Sequence, residues 1–190
     1  MSARDEPIGQ GGLTMRHGLM TLLTLSLSIT AAGQEGEGHE KSEAGDAAKA
    51  AQGLAPALKE AKVSLASGLH AAENEGRPIS GKFELEDGKL QLSVYTMKDD
   101  KFSEVIVDHR TGKVAKSEPI TGGEDLAAAQ KQAQAMAKTK HALRDAIARA
   151  EKANPGYHAV SVVPEIEHGK PQADLTLLKG SSSKTVDEPL

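Results

Sequence analysis

The sequence predicts an α+β fold made of two repeated units. Each unit is a helix packed on a small antiparallel sheet, in the order helix, strand, strand, strand, and the second is shortened. Three observations predict it. First, Lys82 to Met97, KFELEDGKLQLSVYTM, alternates apolar and polar residues about Asp87-Gly88, a dipeptide suited to the tight hairpin turn whose two central residues take positive φ. Second, the pattern returns 81 residues later as PEIEHGKPQADLTLLK, with Glu84, Glu86, Gly88, Lys89, Gln91 and Lys98 matched by Glu165, Glu167, Gly169, Lys170, Gln172 and Lys179. Third, a stretch of helical periodicity precedes each hairpin.

The chain begins with an address. From Arg16, RHGLMTLLTLSLSITAAGQ has a basic lead, an apolar core centred on Leu22 to Ile29, and small residues at Ala31, Ala32 and Gly33. Residues 1–33 therefore read as a secretory signal peptide, with Met15 as an alternative start. The apolar run is shorter than the roughly 20 residues a membrane span needs, and a membrane anchor is the alternative reading. No Cys follows the small-residue site, so no lipid anchor is expected. The product should be soluble from about Gln34 onward, secreted or periplasmic, with no stable membrane insertion after cleavage. Residues 34–55, rich in Gly, Glu, Lys and Ala, have little to bury and read as a flexible leader.

The first unit spans 56–120. Pro56 suits a first helical turn, and Leu58, Ala61, Leu65, Leu69 and Ala72 share one face, which predicts a helix over 56–75 ended by Gly76 and Pro78. In the hairpin, Leu85 should oppose Leu90 and Phe83 should oppose Leu92, leaving Glu84, Glu86, Gln91 and Ser93 on a solvent face. Phe102 to Asp108, FSEVIVD, supplies a third strand. Asp108 can then cap a turn, Gly112 can take positive φ, and Val114 restarts the strand.

Residues 121–137 form a helical linker. The Ala-rich segment continues to Asn154-Pro155-Gly156 as one helix or two, and its C-terminal half should be the helix of the second unit, 138–190. About a His168-Gly169 turn, Val162 should face Leu175 and Val160 should face Leu177. Pro164 and Pro171 cannot donate to a ladder, which predicts the more irregular copy. This unit has no Asp-x-x-Thr-Gly turn. Its final Asp187-Glu188-Pro189-Leu190 resembles Ser117-Glu118-Pro119-Ile120 at an offset of 70 rather than 81, which implies about eleven residues lost from its third strand or a strand supplied differently.

Composition excludes several functions. With no Cys or Trp, two Phe and two Tyr among 190 residues, the cores must be small and aliphatic, without disulfides or thiolate metal sites. Twenty-three basic against 27 acidic residues give a net charge of -4, which offers nucleic acid no broad attraction. Lys131, Lys138, Lys140, Arg144 and Arg149 are interleaved with Gln, Ala and acidic residues and with no aromatic, so they read as a solvated helix face. Gly76 to Lys82 has phosphate-loop spacing, but Phe83 stands where Ser or Thr is required, and the string follows a helix instead of a strand. No H-E-x-x-H or G-x-S-x-G occurs. Accordingly no catalytic, cofactor-binding or metal-ligating residue is assigned, no cofactor is expected, and an enzyme is not the expected class.

The segment Val107-Asp108-x-x-Thr111-Gly112-x-Val114 resembles the signature turn of the PepSY domain family, whose fold packs a helix on an antiparallel sheet. The resemblance covers about 57–120 well, and a poorer copy covers about 138–190. It implies an exported, non-catalytic tandem PepSY protein that acts by protein contact, as a regulator or inhibitor of a peptidase or another envelope partner. The contact expected is an exposed sheet edge at Phe102 to Val107. The alternative is a periplasmic metal-handling or small-ligand-binding protein using His39, His109, His158 and His168. Those histidines, like His70 and His141, have no ligand spacing and read as scattered surface residues.

Overall fold

Asp87 and Gly88 both take positive φ, and pairing outward from them joins β1 (Arg77–Glu86) to β2 (Lys89–Lys98). Leu85 opposes Leu90 and Phe83 opposes Leu92, as the alternation requires. The computed structural model describes residues 49–190; residues 1–33, expected to be a signal peptide, and most of 34–55, expected to be a flexible leader, lie outside the described residues. Among the described residues the architecture is α+β, with four helices and a seven-stranded antiparallel sheet ordered β4-β3-β2-β1-β5-β6-β7. The remaining strands are β3 (Lys101–Val107), β4 (Val114–Ile120), β5 (His158–Glu167), β6 (Lys170–Lys179) and β7 (Ser182–Pro189).

The second hairpin turns at His168 and Gly169, again both at positive φ, and sets Val162 opposite Leu175. Val160 does not face Leu177; Ala159 does, because the ladder is interrupted by a bulge between Ala159 and Ser161. The first hairpin has the same interruption between Pro78 and Ser80. The two prolines therefore do not make the second copy the less regular one. Pro164 lies past the point where β5 pairs with β1, a junction that consists of Gly81 opposite Val162 and Lys82 opposite Ser161.

The helix expected over 56–75 is two helices. α1 covers residues 49–58, so the end of the 34–55 stretch expected to be a flexible leader is helical, with Ala51 and Leu54 buried, and α2 is Leu65–Ala72. Between them the backbone N–H groups of Lys62 and Val63 both donate to the His109 carbonyl, at 2.8 and 3.1 Å. Ser64 then starts α2, its Oγ accepting from Ser67 N–H at 3.2 Å. Spacing alone does not show this break, because the apolar stripe continues across it while the backbone leaves the helix to dock on a distant turn. The Ala-rich segment is also two helices, α3 (Gly123–Ala137) and α4 (Leu143–Ala153).

One face of the sheet is covered by α2 and α4 lying side by side. Leu65 and Leu69 meet Gly81 there, with Phe83, Leu92, Val94, Val105 and Val107 on the same face. Ala146, Ile147 and Ala150 are buried in α4, as are Val162, Leu175 and Leu177 in the strands it packs against. Each fully buried leucine or isoleucine contributes on the order of 1.5–3 kcal/mol over its exposed state. The opposite face receives α3, whose Gln132 accepts from Ser80 Oγ at 2.8 Å in a buried contact.

Two further expectations are revised. Phe102 to Val107 is not an edge, because β4 pairs with β3 from Ile120 back to Val114. The third strand of the second half is not cut short either: Ser182–Pro189 pairs with β6 throughout, and among the described residues it is β4 that has no counterpart beyond β7.

Candidate functional site

The residues that form the β3–β4 connection explain why an edge strand exists at β4. Asp108 Oδ1 accepts from the N–H groups of Arg110 and Thr111 at 2.8 and 2.9 Å, and Gly112, at positive φ, donates its N–H to Asp108 O at 2.8 Å. These donors hold the Asp108 carboxyl below the usual aspartate range, the Thr111 N–H first and the Arg110 N–H next. Arg110 also pairs with Glu60. The turn thus reverses the chain into β4 and at the same time anchors the connection between α1 and α2.

β4 reads VAKSEPI and is exposed from Val114 to Pro119, although it is paired along one side. Lys116 and Glu118 project from the same face and bridge each other at 2.6 Å. Pro119 is tolerated because an edge strand has one side that owes no ladder bonds. The other side of β4 presents main-chain groups to solvent, and such a row can accept an extended strand.

A second cluster lies on the α3 face of β1–β3, on what sequence alternation marks as a solvent face. Glu84 is not solvated there: its side chain is 19% exposed, Lys82 Nζ lies 2.7 Å away, and Ser93 Oγ donates to it at 2.6 Å. Beside it, Tyr95 donates to Asp125 of α3 at 2.9 Å. Burial raises the Tyr95 phenol first, with the Asp125 bond and charge adding to it, so Tyr95 remains a donor at ordinary pH. Burial also raises Glu104, and the Glu84 charge adds to the shift. A raised carboxyl beside a second carboxylate is electrostatically the arrangement of an acid–base site. Here, however, Lys82 and Ser93 hold Glu84, while Tyr95 and Asp125 hold each other and tie α3 to the sheet. Sequence reasoning missed this cluster, and its signal was modest: Ser80, Ser93 and Tyr95 are small or amphipathic where Lys or Glu would suit free solvent.

A cleft of about 190 Å³ opens where the α3–α4 connection meets the start of β1, with Leu69, Met136 and Leu143 as its apolar lining. Its cations are engaged, Arg144 with Glu73 at 2.8 Å and Arg77 with the Thr139 carbonyl at 3.2 Å. The histidines are dispersed. His158 starts β5, His168 lies in the turn at its other end, and His109 sits in the β3–β4 turn. His39 lies outside the described residues. Among the described residues no group of three His, Cys, Asp or Glu side chains could hold a metal ion, and no helix is long and apolar enough to cross a membrane.

Fold and surfaces together define an α+β protein with helices on both faces of an antiparallel sheet, an exposed edge strand, and polar clusters engaged in packing. No family model, curated protein or solved structure matches the chain.

Proposed function

We propose that the chain is an exported, non-catalytic binding protein of PepSY type that holds an extended segment of a partner, a peptidase or another exported protein, along β4. The observation that carries this reading is the edge strand itself, paired on one side and exposed from Val114 to Pro119. Strand addition uses main-chain bonds for affinity and needs no reactive side chain.

The tandem reading, two α-β-β-β units with the second ending on β7, is part of the same proposal. It is supported by spacing: β1 and β5 start 81 residues apart at Arg77 and His158, β2 and β6 at Lys89 and Lys170, and β3 and β7 at Lys101 and Ser182. The Asp108–Gly112 turn supports the PepSY reading, since it follows the third strand, the last of the α-β-β-β unit that the resemblance implies.

The test is capture of exported proteins from the organism itself on immobilised protein beginning at Gln34, with the Ser117→Pro variant alongside. Positions 117 and 119 present their backbone nitrogens to the same side, and Pro119 has no N–H to give β3. The substitution should therefore leave the fold intact and remove a donor from the free edge. A peptidase captured by the parent, lost by the variant and slowed in turnover when bound is the expected result. Equal capture by a folded Ser117→Pro variant would falsify the edge as the contact.

A further inference from the structure

Lys116 and Glu118 stand either side of Ser117 on one face of the exposed edge. An antiparallel copy of the same strand centred on Ser117 places Lys116 opposite Glu118 of the second copy, and Glu118 opposite its Lys116. Moving the centre by one residue in either direction sets Lys116 against Lys116 or Glu118 against Glu118. We infer that β4 is also a self-association edge, at which two copies of this chain pair β4 with β4 about Ser117 into one continuous antiparallel sheet. The inference rests on the reading of β4 as a pairing edge and names a second copy as one of its partners.

Three observations carry it. The strand is charge-complementary to itself in that one register. Both charged side chains are more than half exposed, 57% for Lys116 and 52% for Glu118, so each can turn from its own strand to the neighbour's without leaving a buried charge behind. Glu118 also lies opposite Glu104 across the β3–β4 ladder, so the position favours a neighbouring cation, which the second copy's Lys116 supplies when the strand's own Lys116 turns to its partner. An isologous contact of this kind closes on itself, giving a dimer instead of a fibre. Pro119 ends the ladder on each side, which keeps the contact short and the association weak. Self-pairing and partner capture use the same main-chain groups and therefore compete.

The test is sedimentation of the protein beginning at Gln34 over a concentration series, using two variants that leave the backbone edge in place. Lys116→Glu makes the edge doubly acidic, and Glu118→Lys makes it doubly basic. Each alone should associate roughly tenfold more weakly than the parent, because two attractive cross-strand pairs become repulsive. Mixed together they should form a heterodimer tighter than the parent dimer, since neither strand keeps the internal Lys116–Glu118 bridge that the parent must exchange. The observed mass should rise from that of one chain towards that of two. A parent that sediments as one chain at every concentration overturns the inference, as does a mixture that associates no better than its components. Neither result touches partner capture, which Ser117→Pro tests and which the two charge variants should retain.

Discussion

In the half of the sheet that ends on β4, glycine stands at two points where helix and sheet meet. In the half that ends on β7, the positions 81 residues further on hold Arg149 and Val162 in place of Gly68 and Gly81. A Cβ on Gly68 would fall 2.4 Å from Leu92 Cδ2, and one on Gly81 would fall 2.9 Å from Leu69 Cδ2, so α2 sits close against its strands. On the other side α4 keeps larger side chains and uses them. Arg149 reaches Glu188 on β7 at 3.0 Å, Tyr157 Oη lies 3.1 Å from Ser182 Oγ, and Lys184 Nζ stands 4.5 Å from the Tyr157 ring centre. Beyond its pairing with β2, β3 is held by a fourth strand and an Asp-anchored turn, whereas β7, paired with β6 throughout, is further held by long side chains. Two similar hairpins are thus completed in two ways, by close backbone packing or by side-chain reach.

The sharpest way to break this contrast is to cut the close-packed side. Leu69→Ala should lower stability by about 2–5 kcal/mol in urea denaturation, because a fully buried side chain leaves a cavity. Gly68→Val should cost about 1–3 kcal/mol, since Leu92 is itself completely buried and has little room to yield. Arg149→Ala, at the matching position of α4, should cost about 1 kcal/mol or less, because its ion pair is partly exposed. If Arg149→Ala costs as much as Gly68→Val, the two halves do not differ in the way proposed. On the opposite face, Tyr95→Phe removes the bond to Asp125 and should cost about 1 kcal/mol, with faster amide exchange at the start of α3 as the local readout.

Much of the first half was legible because its signals are local. The Asp87-Gly88 turn fixes the hairpin register through Leu85, Leu90, Phe83 and Leu92, and no tertiary information is needed for that. The break at residues 59–64 was not legible, because its cause is the carbonyl of His109, far away in the chain. Val160 was assigned to Leu177 by strict alternation, and a bulge, which alternation cannot register, moved Ala159 into its place. The edge was misassigned for a related reason. Exposed on both faces, β4 carries little apolar alternation, so VAKSEPI reads weakly as a strand even though it takes one edge of the sheet from β3, β7 being the other edge. The polar cluster under α3 depended on where a helix 30 residues further on would lie, Asp125 against Tyr95, and spacing within the hairpin does not contain that.

The smallest expected effect separates the middle of β3 from the turn that follows it, and it is read by pH. In the middle of the strand Glu104 has its pKa raised, chiefly by burial and then by Glu84, with Asp125 adding and with Ser93 and Lys82 opposing; Glu118 faces it from β4. The folded protein therefore holds this proton at a pH where the unfolded chain has released it. The stability it contributes is fully present below the unfolded glutamate value and is lost as pH rises through the folded value. In the turn just past the strand Asp108 has its pKa lowered by the N–H groups of Thr111 and Arg110. Its contribution is present above the unfolded aspartate value and is lost as pH falls through the folded one. Glu104→Gln should remove the decline on the rising side and make the variant gain on the parent towards neutral pH. Asp108→Asn should flatten the acid limb and loosen the turn, which would appear as faster amide exchange at Lys62 and Val63, the residues that turn anchors. Two opposite slopes, each abolished by its own substitution, would assign the acid response to the turn that β7 lacks and the decline towards neutral pH to the packing of α3 on the sheet.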